Sequence, residues 1–259
     1  MARSRRRLDE RLVADGLAAD LATARGLVLA GRVVVGERRV DKAGAAVPDD
    51  VPVRLAGMVN RFVSRGGDKL DGALTSLGVD VNGFRCLDVG ASTGGFTDCL
   101  LQRGAAHVVA VDVGFNLLAD KLRRDPRVTV RERTHARDLT LESLHPDQKA
   151  LGKDRDGEPA AVDLAVMDVS FIGARQLLPA VVPLVRTGGL LLVMVKPQFE
   201  LPRADVPDGG VVRDDAARWR AVAEVEAAAV LLGCNQIGRC ESAVPGPAGN
   251  REIFVLFRH

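Results

Sequence analysis

Acids and lysines in this chain repeatedly stand where an apolar run ends. In Cys86-Leu87-Asp88-Val89-Gly90-Ala91-Ser92-Thr93-Gly94-Gly95-Phe96-Thr97, a short apolar run stops at Asp88, small residues follow, and a helical pattern begins. Strand, glycine-rich turn and helix make the first unit of a doubly wound α/β fold. The glycines let the backbone approach a ligand without a Cβ clash. A dinucleotide fingerprint needs G-x-G-x-x-G, whereas the spacing here is G-x-x-x-G-G, and Gly95-Phe96-Thr97 lacks the lysine of a phosphate-binding P-loop. Asp-x-Gly-x-x-x-Gly-Gly suits S-adenosylmethionine (SAM), whose methionine end offers an ammonium to an acid and which carries no phosphate. The competing reading is a turn kept glycine-rich for helix–strand packing alone.

Further acids and a lysine follow the same rule. His107-Val108-Val109-Ala110-Val111-Asp112 is a buried-strand pattern ending in a carboxylate 24 positions after Asp88. In a mononucleotide-binding half, the acid ending the second strand accepts hydrogen bonds from ribose hydroxyls. Val128-Thr129-Val130 reads as a third strand, with the loop Thr134-His135-Ala136-Arg137-Asp138 beyond it. Val162–Met167 is a fourth strand ending in Asp168-Val169-Ser170-Phe171-Ile172, and Leu190–Val195 a fifth that runs into Lys196-Pro197-Gln198-Phe199-Glu200. Ligands of open α/β sheets lie beyond the C-terminal strand ends. Asp88, Asp112, Asp168 and Lys196 all stand there, and Lys196, between a buried strand and a proline, is held on rigid scaffold. The cofactor set expected from these positions is Asp88, Gly90, Ser92, Gly94, Gly95, Phe96, Asp112, Val113, Ala136, Arg137 and Asp168.

The elements that must carry these residues are legible in outline. Residues 57–67 read as a linker into Ser64-Arg65-Gly66-Gly67-Asp68-Lys69-Leu70, whose glycines precede a helix to about Leu77. That puts Lys69 near the N-terminal turn, where a cation opposes the helix dipole. Phe115–Arg124 and Arg175–Val185 read as helices, and residues 145–160 as a polar surface insertion. Residues 201–213 form a Pro/Gly-rich loop, and Asp215 caps a helix to Leu232. Cys234–Ser242 and Glu252–Phe257 are a final strand pair around Pro245-Gly246-Pro247-Ala248-Gly249-Asn250.

The first sixty residues are different. Leu8, Leu12 and Val13 share a helical face that Gly16 ends, and Asp20 can cap a second helix through Ala30. Val33-Val34-Val35 with Arg39-Val40 read as a hairpin and Val51–Leu55 as another strand. Residues 1–69 hold 14 Lys/Arg against 9 Asp/Glu, the remainder 22 against 25, so a basic end sits on a mildly acidic body. That asymmetry fits a polyanion contact at one end, or simply a solvated charged face. The four cysteines form no C-x-x-C and have no histidine cluster near them, which speaks against a zinc site and a disulfide framework. No metal is expected. The N-terminus has charge without an apolar stretch and no run reaches eighteen apolar residues, so a cytoplasmic protein without a membrane contact is expected.

Two resemblances sharpen this. Arg7-Leu8-Asp9, Gly16-Leu17, Ala30-Gly31-Arg32-Val33 and Val47 with Asp49-Asp50 resemble the S4-type RNA-binding domain. Where that family carries Ser-Arg at the start of its second helix, Asp20-Leu21 stands here. A phosphate contact is then lost or supplied by Arg25 or the N-terminal arginines. The whole chain resembles the TlyA family, rRNA cytidine-2′-O-methyltransferases with an FtsJ-like domain behind an S4-type module, also called haemolysins. Matching stretches are Ser64–Leu70, Asp88–Thr97, Asp168–Ile172, Val195–Glu200, and Pro245-Gly246-Pro247 with Gly249-Asn250. After Glu200, Leu201-Pro202-Arg203 departs from the family's Gly-Lys.

The resemblance implies an α/β fold: a Rossmann-like, mostly parallel SAM-dependent methyltransferase domain over 68–259, a linker over 61–67, and a small α+β S4-type domain over 1–60. It implies Lys69, Asp168, Lys196 and Glu252 as the catalytic set, SAM as cofactor, and ribosomal RNA or ribosomal subunits as partner. RNA contacts would fall to Arg3, Arg5, Arg6, Arg7, Arg11, Arg25, Arg32 and Arg65. Lys196 would accept the proton of a ribose 2′-hydroxyl or polarise its oxygen, and both roles stay open. The expected substrate is 23S rRNA, with 16S rRNA also open, because members acting on both tend to have longer termini. The alternatives are a non-catalytic ribosome-assembly factor and a pore-forming haemolysin.

Overall fold

The computed structural model describes residues 5–36, 38–56, 61–144, 161–246 and 249–259. Arg3 and the expected insertion at 145–160 lie outside them, as does Pro247. The chain divides into two compact units, Met1–Asn60 and Arg61–His259.

In the first unit, β1 (Arg5–Arg7) leads directly into α1 (Leu8–Ala14), and α2 (Leu21–Leu29) follows. The Asp20 side chain accepts the Thr23 N–H at 2.7 Å, capping α2 as expected. Then come β2 (Val33–Val35), β3 (Arg38–Arg39), β4 (Ala46–Pro48) and β5 (Val53–Leu55). Strand order β3-β2-β5 makes one small sheet, and β1 pairs antiparallel with β4 in another. The pairing of β1 with β4 leaves no sequence signal, because three consecutive arginines carry no apolar alternation. Leu8, Leu12, Ala24, Val28, Val33 and Val47 are the buried core of this unit.

The second unit begins inside the expected linker. Phe62 is buried and the Val63 N–H donates to Asp98 Oδ2 at 2.8 Å, so residues 61–67 belong to this unit's own packing. Its elements are α3 (Arg65–Ser76), β6 (Arg85–Val89), α4 (Gly95–Gln102), β7 (His107–Val111), α5 (Asp120–Arg123), β8 (Val128–Arg131), β9 (Val162–Met167), α6 (Leu178–Val181), β10 (Val185–Val195), α7 (Pro197–Glu200), α8 (Asp215–Leu231), β11 (Asn235–Glu241) and β12 (Ile253–Arg258). Strand order is β11-β12-β10-β9-β6-β7-β8, parallel from β10 through β8, with β12 antiparallel to both its neighbours. Alternate residues of each central strand feed opposite faces. Leu87, Val109, Ala165 and Val193 pack with Ala221, Val222 and Val225 of α8, and Cys86, Val108, Leu164 and Leu192 with Leu70, Leu74, Cys99 and Leu100 of α3 and α4. The strand order reverses direction between β6 and β9, the crevice where such sheets bind ligands.

Several expected helices are corrected. α3 starts at Arg65, so Gly66 and Gly67 lie inside it and Lys69 sits in its second turn. A Cβ on Gly67 would lie 2.3 Å from Phe62, so this glycine serves close packing and not a turn. The helix expected over Phe115–Arg124 shrinks to Asp120–Arg123. Asn116 takes a left-handed φ of 56°, and Glu132 Oε1 accepts the Leu117 and Leu118 N–H groups that a longer helix would have used. Arg175–Val185 breaks into 3₁₀ turns around α6, since Pro179 and Pro183 supply no N–H, and Val185 already belongs to β10. Asp214, not Asp215, caps α8 by accepting the Ala216 and Ala217 N–H groups.

Candidate active site

The cofactor cradle is built where β6 gives way to α4. Gly90 has φ 88°, and a Cβ there would lie 2.5 Å from the Asp168 carbonyl oxygen, so only glycine fits between the β6 and β9 ends. A Cβ on Gly95 would meet Ser64 Oγ at 2.3 Å and the Gly67 nitrogen at 2.8 Å, which brings the N-termini of α3 and α4 together. Asp112, just past β7, accepts the Ser92 N–H at 2.8 Å and the Gly114 N–H at 2.7 Å, one on each carboxylate oxygen.

Around these residues runs a cleft in two lobes. One, of about 400 Å³, is lined by Val89, Gly90, Ser92, Asp112, Val113, Ala136 and Asp168 among others. The other, of about 260 Å³, is lined by Ser64, Arg65, Lys69, Gly90, Ser92, Gly95, Phe96, Asp168 and Pro245 among others. Gly90, Ser92 and Asp168 border both, so the lobes adjoin at the switch point. A glycine cradle that a Cβ would fill, with a carboxylate at the end of the second parallel strand, fits SAM. Asp112→Ala is expected to weaken SAM binding roughly ten- to a hundredfold, the value of a charge-assisted hydrogen bond, with the fold intact. Isothermal calorimetry checks it, and an unchanged affinity would remove Asp112 from the site.

Three expected cofactor residues stand elsewhere. Asp88 is fully buried and does not line the cleft. Its Oδ2 accepts from Thr97 Oγ1 at 2.7 Å, and its Oδ1 has no hydrogen-bond partner among the described residues. Gly94, at φ 95°, caps α4, where a Cβ would strike Leu122 and Leu118, so packing explains it. The Arg137 side chain points to Gln176 Oε1 at 3.5 Å. Sequence reasoning missed Thr134, His135, Leu117, Ile172 and Leu177 as lining residues. Only His135 carried a signal, as a titratable residue in a strand-end loop, and its Nδ1 accepts the Arg137 N–H.

Burial pushes the Asp88 carboxyl up to about 7 from its ordinary 3.8, against the opposing hydrogen bond from Thr97. Between those values the folded chain holds a proton that the unfolded chain releases. Stability from this group is therefore full at low pH and is lost as pH rises towards 7. Asp88→Asn keeps an acceptor for Thr97 and removes the charge. Its melting temperature is expected to exceed that of the parent by several degrees at pH 8 and to match it near pH 4. Equal melting points at both pH values would contradict the burial argument.

The second half of the site is a pair of lysine–carboxylate bridges. Lys196 Nζ lies 2.6 Å from Asp168 Oδ1 and 2.8 Å from Ser170 Oγ. Lys69 Nζ donates to Glu252 Oε2 at 2.5 Å. Both lysines are 8% exposed and Glu252 2%. Strand register explains the convergence. Val193 faces Met167 in the parallel β9–β10 pair, so Asp168 and Lys196 leave the sheet side by side. Val195 faces Ile253 in the antiparallel β10–β12 pair, so Glu252, just before β12, emerges at the same end. Gly246 leaves room for this carboxylate, since a Cβ there would sit 2.8 Å from Glu252 Oε1. Nearby, the buried Asn250 accepts the Val212 N–H and donates to the Gly210 carbonyl, tying the 201–213 loop to the approach to β12. The structure thus brings Lys69, Asp168, Lys196 and Glu252 to one end of the sheet, with Lys69 and Asp168 lining the same lobe.

In the N-terminal unit the arginines sort by exposure. Arg5, Arg7, Arg25 and Arg32 extend towards solvent, and Arg6 is half-buried against Asp49 at 2.7 Å. Arg11 is different: its side chain is buried, donating to the Pro48 carbonyl and pairing with Asp15, so it holds the unit together and does not face a ligand. Buried Asp9 accepts from both Arg7 and Arg25, and the Arg7 guanidinium holds its carboxyl well below the usual range. In the second unit, Arg65 is exposed at the cleft.

Comparison with known proteins agrees with this geometry. The FtsJ-like methyltransferase family model matches residues 62–259. The 16S/23S rRNA (cytidine-2′-O)-methyltransferase TlyA of Mycobacterium tuberculosis is 45% identical over 255 residues, covering 98% of this chain and 90% of the relative. Hemolysin A of Brachyspira hyodysenteriae is 35% identical over 97% of this chain and 99% of its own. A solved structure of a hemolysin-named protein from Streptococcus thermophilus superposes with a TM-score of 0.74 at 36% identity, over 99% of this chain and 89% of that one. The chain belongs to the FtsJ-like methyltransferases and, within them, to the TlyA family.

Proposed function

We propose that this chain methylates the 2′-oxygen of a cytidine ribose in ribosomal RNA, with SAM as methyl donor. The observation that carries this reading is the convergence of two lysine–carboxylate bridges, both lysines buried, on the rim of the Gly90–Asp112 cradle. SAM, when bound, supplies a methyl carbon made electrophilic by its sulfonium. The rest is the work of this chain's residues. Asp112 presents carboxylate oxygens to ribose hydroxyls, and the 90–95 loop shapes the cradle. A ribose hydroxyl is a weak nucleophile until its oxygen is polarised or its proton accepted. Lys196 Nζ does the first, and the Asp168 carboxylate beside it receives the proton. Lys69, braced by Glu252, adds positive charge at the same rim. Much of the acceleration then comes from holding the acceptor in line.

The N-terminal unit serves as an S4-type RNA-docking module through Arg5, Arg7, Arg25 and Arg32, with Arg6 beside them. Neutralised phosphates release counterions and make such binding salt-sensitive. Ribosomal subunits in the cytoplasm are the proposed setting, with 23S rRNA the first substrate to try and 16S rRNA the second, since the M. tuberculosis relative is named for both. Among the described residues no helix is long and apolar enough to cross a membrane. The test is methyl transfer from labelled SAM to purified 50S and 30S subunits and to free rRNA, with the modified nucleotide mapped. Label on a cytidine 2′-oxygen supports the reading. No incorporation, or label on a base, overturns it.

A further inference from the structure

A lysine ammonium has three N–H donors and a flexible stem, so one ion pair leaves it free to swing. Lys196 makes one hydrogen bond, to Ser170, and one ion pair, with Asp168, and both partners come from the three residues that follow β9. Asp168 Oδ1 lies 2.6 Å from Nζ and Ser170 Oγ 2.8 Å. The hydrogen bond and the ion pair together hold the ammonium in place and leave it an N–H to spare. Ser170 lines the cleft and is exposed, and its hydroxyl makes no other hydrogen bond among the described residues. A serine kept for local structure would cap a helix or bond a neighbouring backbone group. This one does neither.

The loop that carries Ser170 is shaped to aim it. Phe171 follows at φ 69°, a left-handed conformation uncommon for an aromatic residue, which sharpens the turn directly after the serine. Farther on, the Ala174 N–H donates to Glu200 Oε1 at 2.5 Å, and Gly173 passes so near that a Cβ would lie 2.7 Å from Glu200 Oε2. Glu200 closes the α7 turn that begins right after Lys196. The 168–174 loop and the 196–200 turn are therefore pinned together at both ends, by the β9–β10 pairing on one side and by Glu200 on the other. Ser170 and Lys196 face each other across the gap between the pins. Because Oγ accepts from Nζ, its own proton is directed away from Lys196.

We infer that Ser170 is a positioning residue for methyl transfer, fixing the Lys196 ammonium so that a free N–H meets the incoming ribose oxygen. This rests on the function proposed above. Ser170→Ala and Ser170→Thr in the full chain test it, the second keeping the hydroxyl. In Ser170→Ala, kcat is expected to fall about tenfold, as loss of a hydrogen bond to a charged group would give. The RNA KM and the calorimetric SAM affinity stay within about twofold of the parent. Ser170→Thr recovers most of kcat.

An independent readout is NMR of ¹⁵N-lysine-labelled protein. The Lys196 Nζ–H signal is expected to be protected from solvent exchange in the parent and in Ser170→Thr, and to broaden or vanish in Ser170→Ala. Parental kcat in Ser170→Ala, equal losses in both variants, or an unchanged Nζ signal would overturn the inference. Were the parent itself inactive on rRNA, the functional reading would fail while the NMR comparison still decided the Ser170–Lys196 contact.

Discussion

Lys196→Ala is expected to lower methyl transfer on the order of a hundredfold or more, the scale of losing a donor aimed at the reacting oxygen. The fold should survive. The side chain fills little apolar volume, and the carboxylate it leaves, Asp168, is 22% exposed and can be hydrated. SAM affinity should also survive, because the cradle is built from Gly90, Ser92 and Asp112, none of which bonds to Lys196 in this structure. Lys196→Arg should not rescue turnover. A planar, permanently charged fork does not reproduce a compact ammonium held between Asp168 Oδ1 and Ser170 Oγ. Single-turnover methyl transfer with calorimetry on the same samples separates chemistry from binding. Near-normal turnover in Lys196→Ala would sink the assignment, whereas normal turnover in Lys196→Arg alone would mean that positive charge is all the site requires.

The second large effect concerns Glu252. Its side chain is 2% exposed and that of Lys69 9%, and the two meet at 2.5 Å. Removing one partner of a buried pair strands the other charge, at a cost of about 3–5 kcal/mol. For a protein of this size that corresponds to a melting-point drop of roughly 6–20 °C. Glu252→Ala should therefore melt far below the parent and lose activity. Taken alone, that result would not distinguish a catalytic pair from a structural one. The double variant Lys69→Met with Glu252→Leu does, since apolar replacement of both partners is often neutral or stabilising. It is expected to regain most of the lost stability while methyl transfer stays abolished. Recovery of activity along with stability would show that the bridge only supports the fold.

Much of this site is legible from the sequence alone, and the reason is local. Asp112, Asp168 and Lys196 each end an apolar strand, so a one-dimensional pattern places them at the ligand-binding end of the sheet. Glu252 precedes a strand instead of following one. Its membership depends on β12 running antiparallel, which neighbouring residues do not encode, so only the family resemblance points to it. Asp88 shows the opposite failure. It fits the pattern, yet it is wholly buried and accepts the hydroxyl of Thr97, in the first turn of α4. Arg11 groups with the surface arginines by composition, whereas its partners, Asp15 and the Pro48 carbonyl, are defined by the folded unit. The helices expected at 115–124 and 175–185 are too long for two separate reasons. Glu132, from the far side of β8, takes N–H groups that the first would need, and Pro179 and Pro183 interrupt the second.

Lys69 and Glu252 are 183 residues apart in the chain, and β12 must slot between β10 and β11 to bring them together. Closing so long a loop is entropically costly, and pairings of high sequence separation form slowly. The Ser92–Asp112 contact in the cradle spans only 20 residues, within the β6-α4-β7 unit. During folding, the cofactor's ribose corner can thus assemble early, while the reacting corner waits for the last strand. Pulse-labelling hydrogen exchange during refolding is expected to protect the β6 and β7 amides before those of β12, so that the donor's binding groups form ahead of the bridge that readies the acceptor.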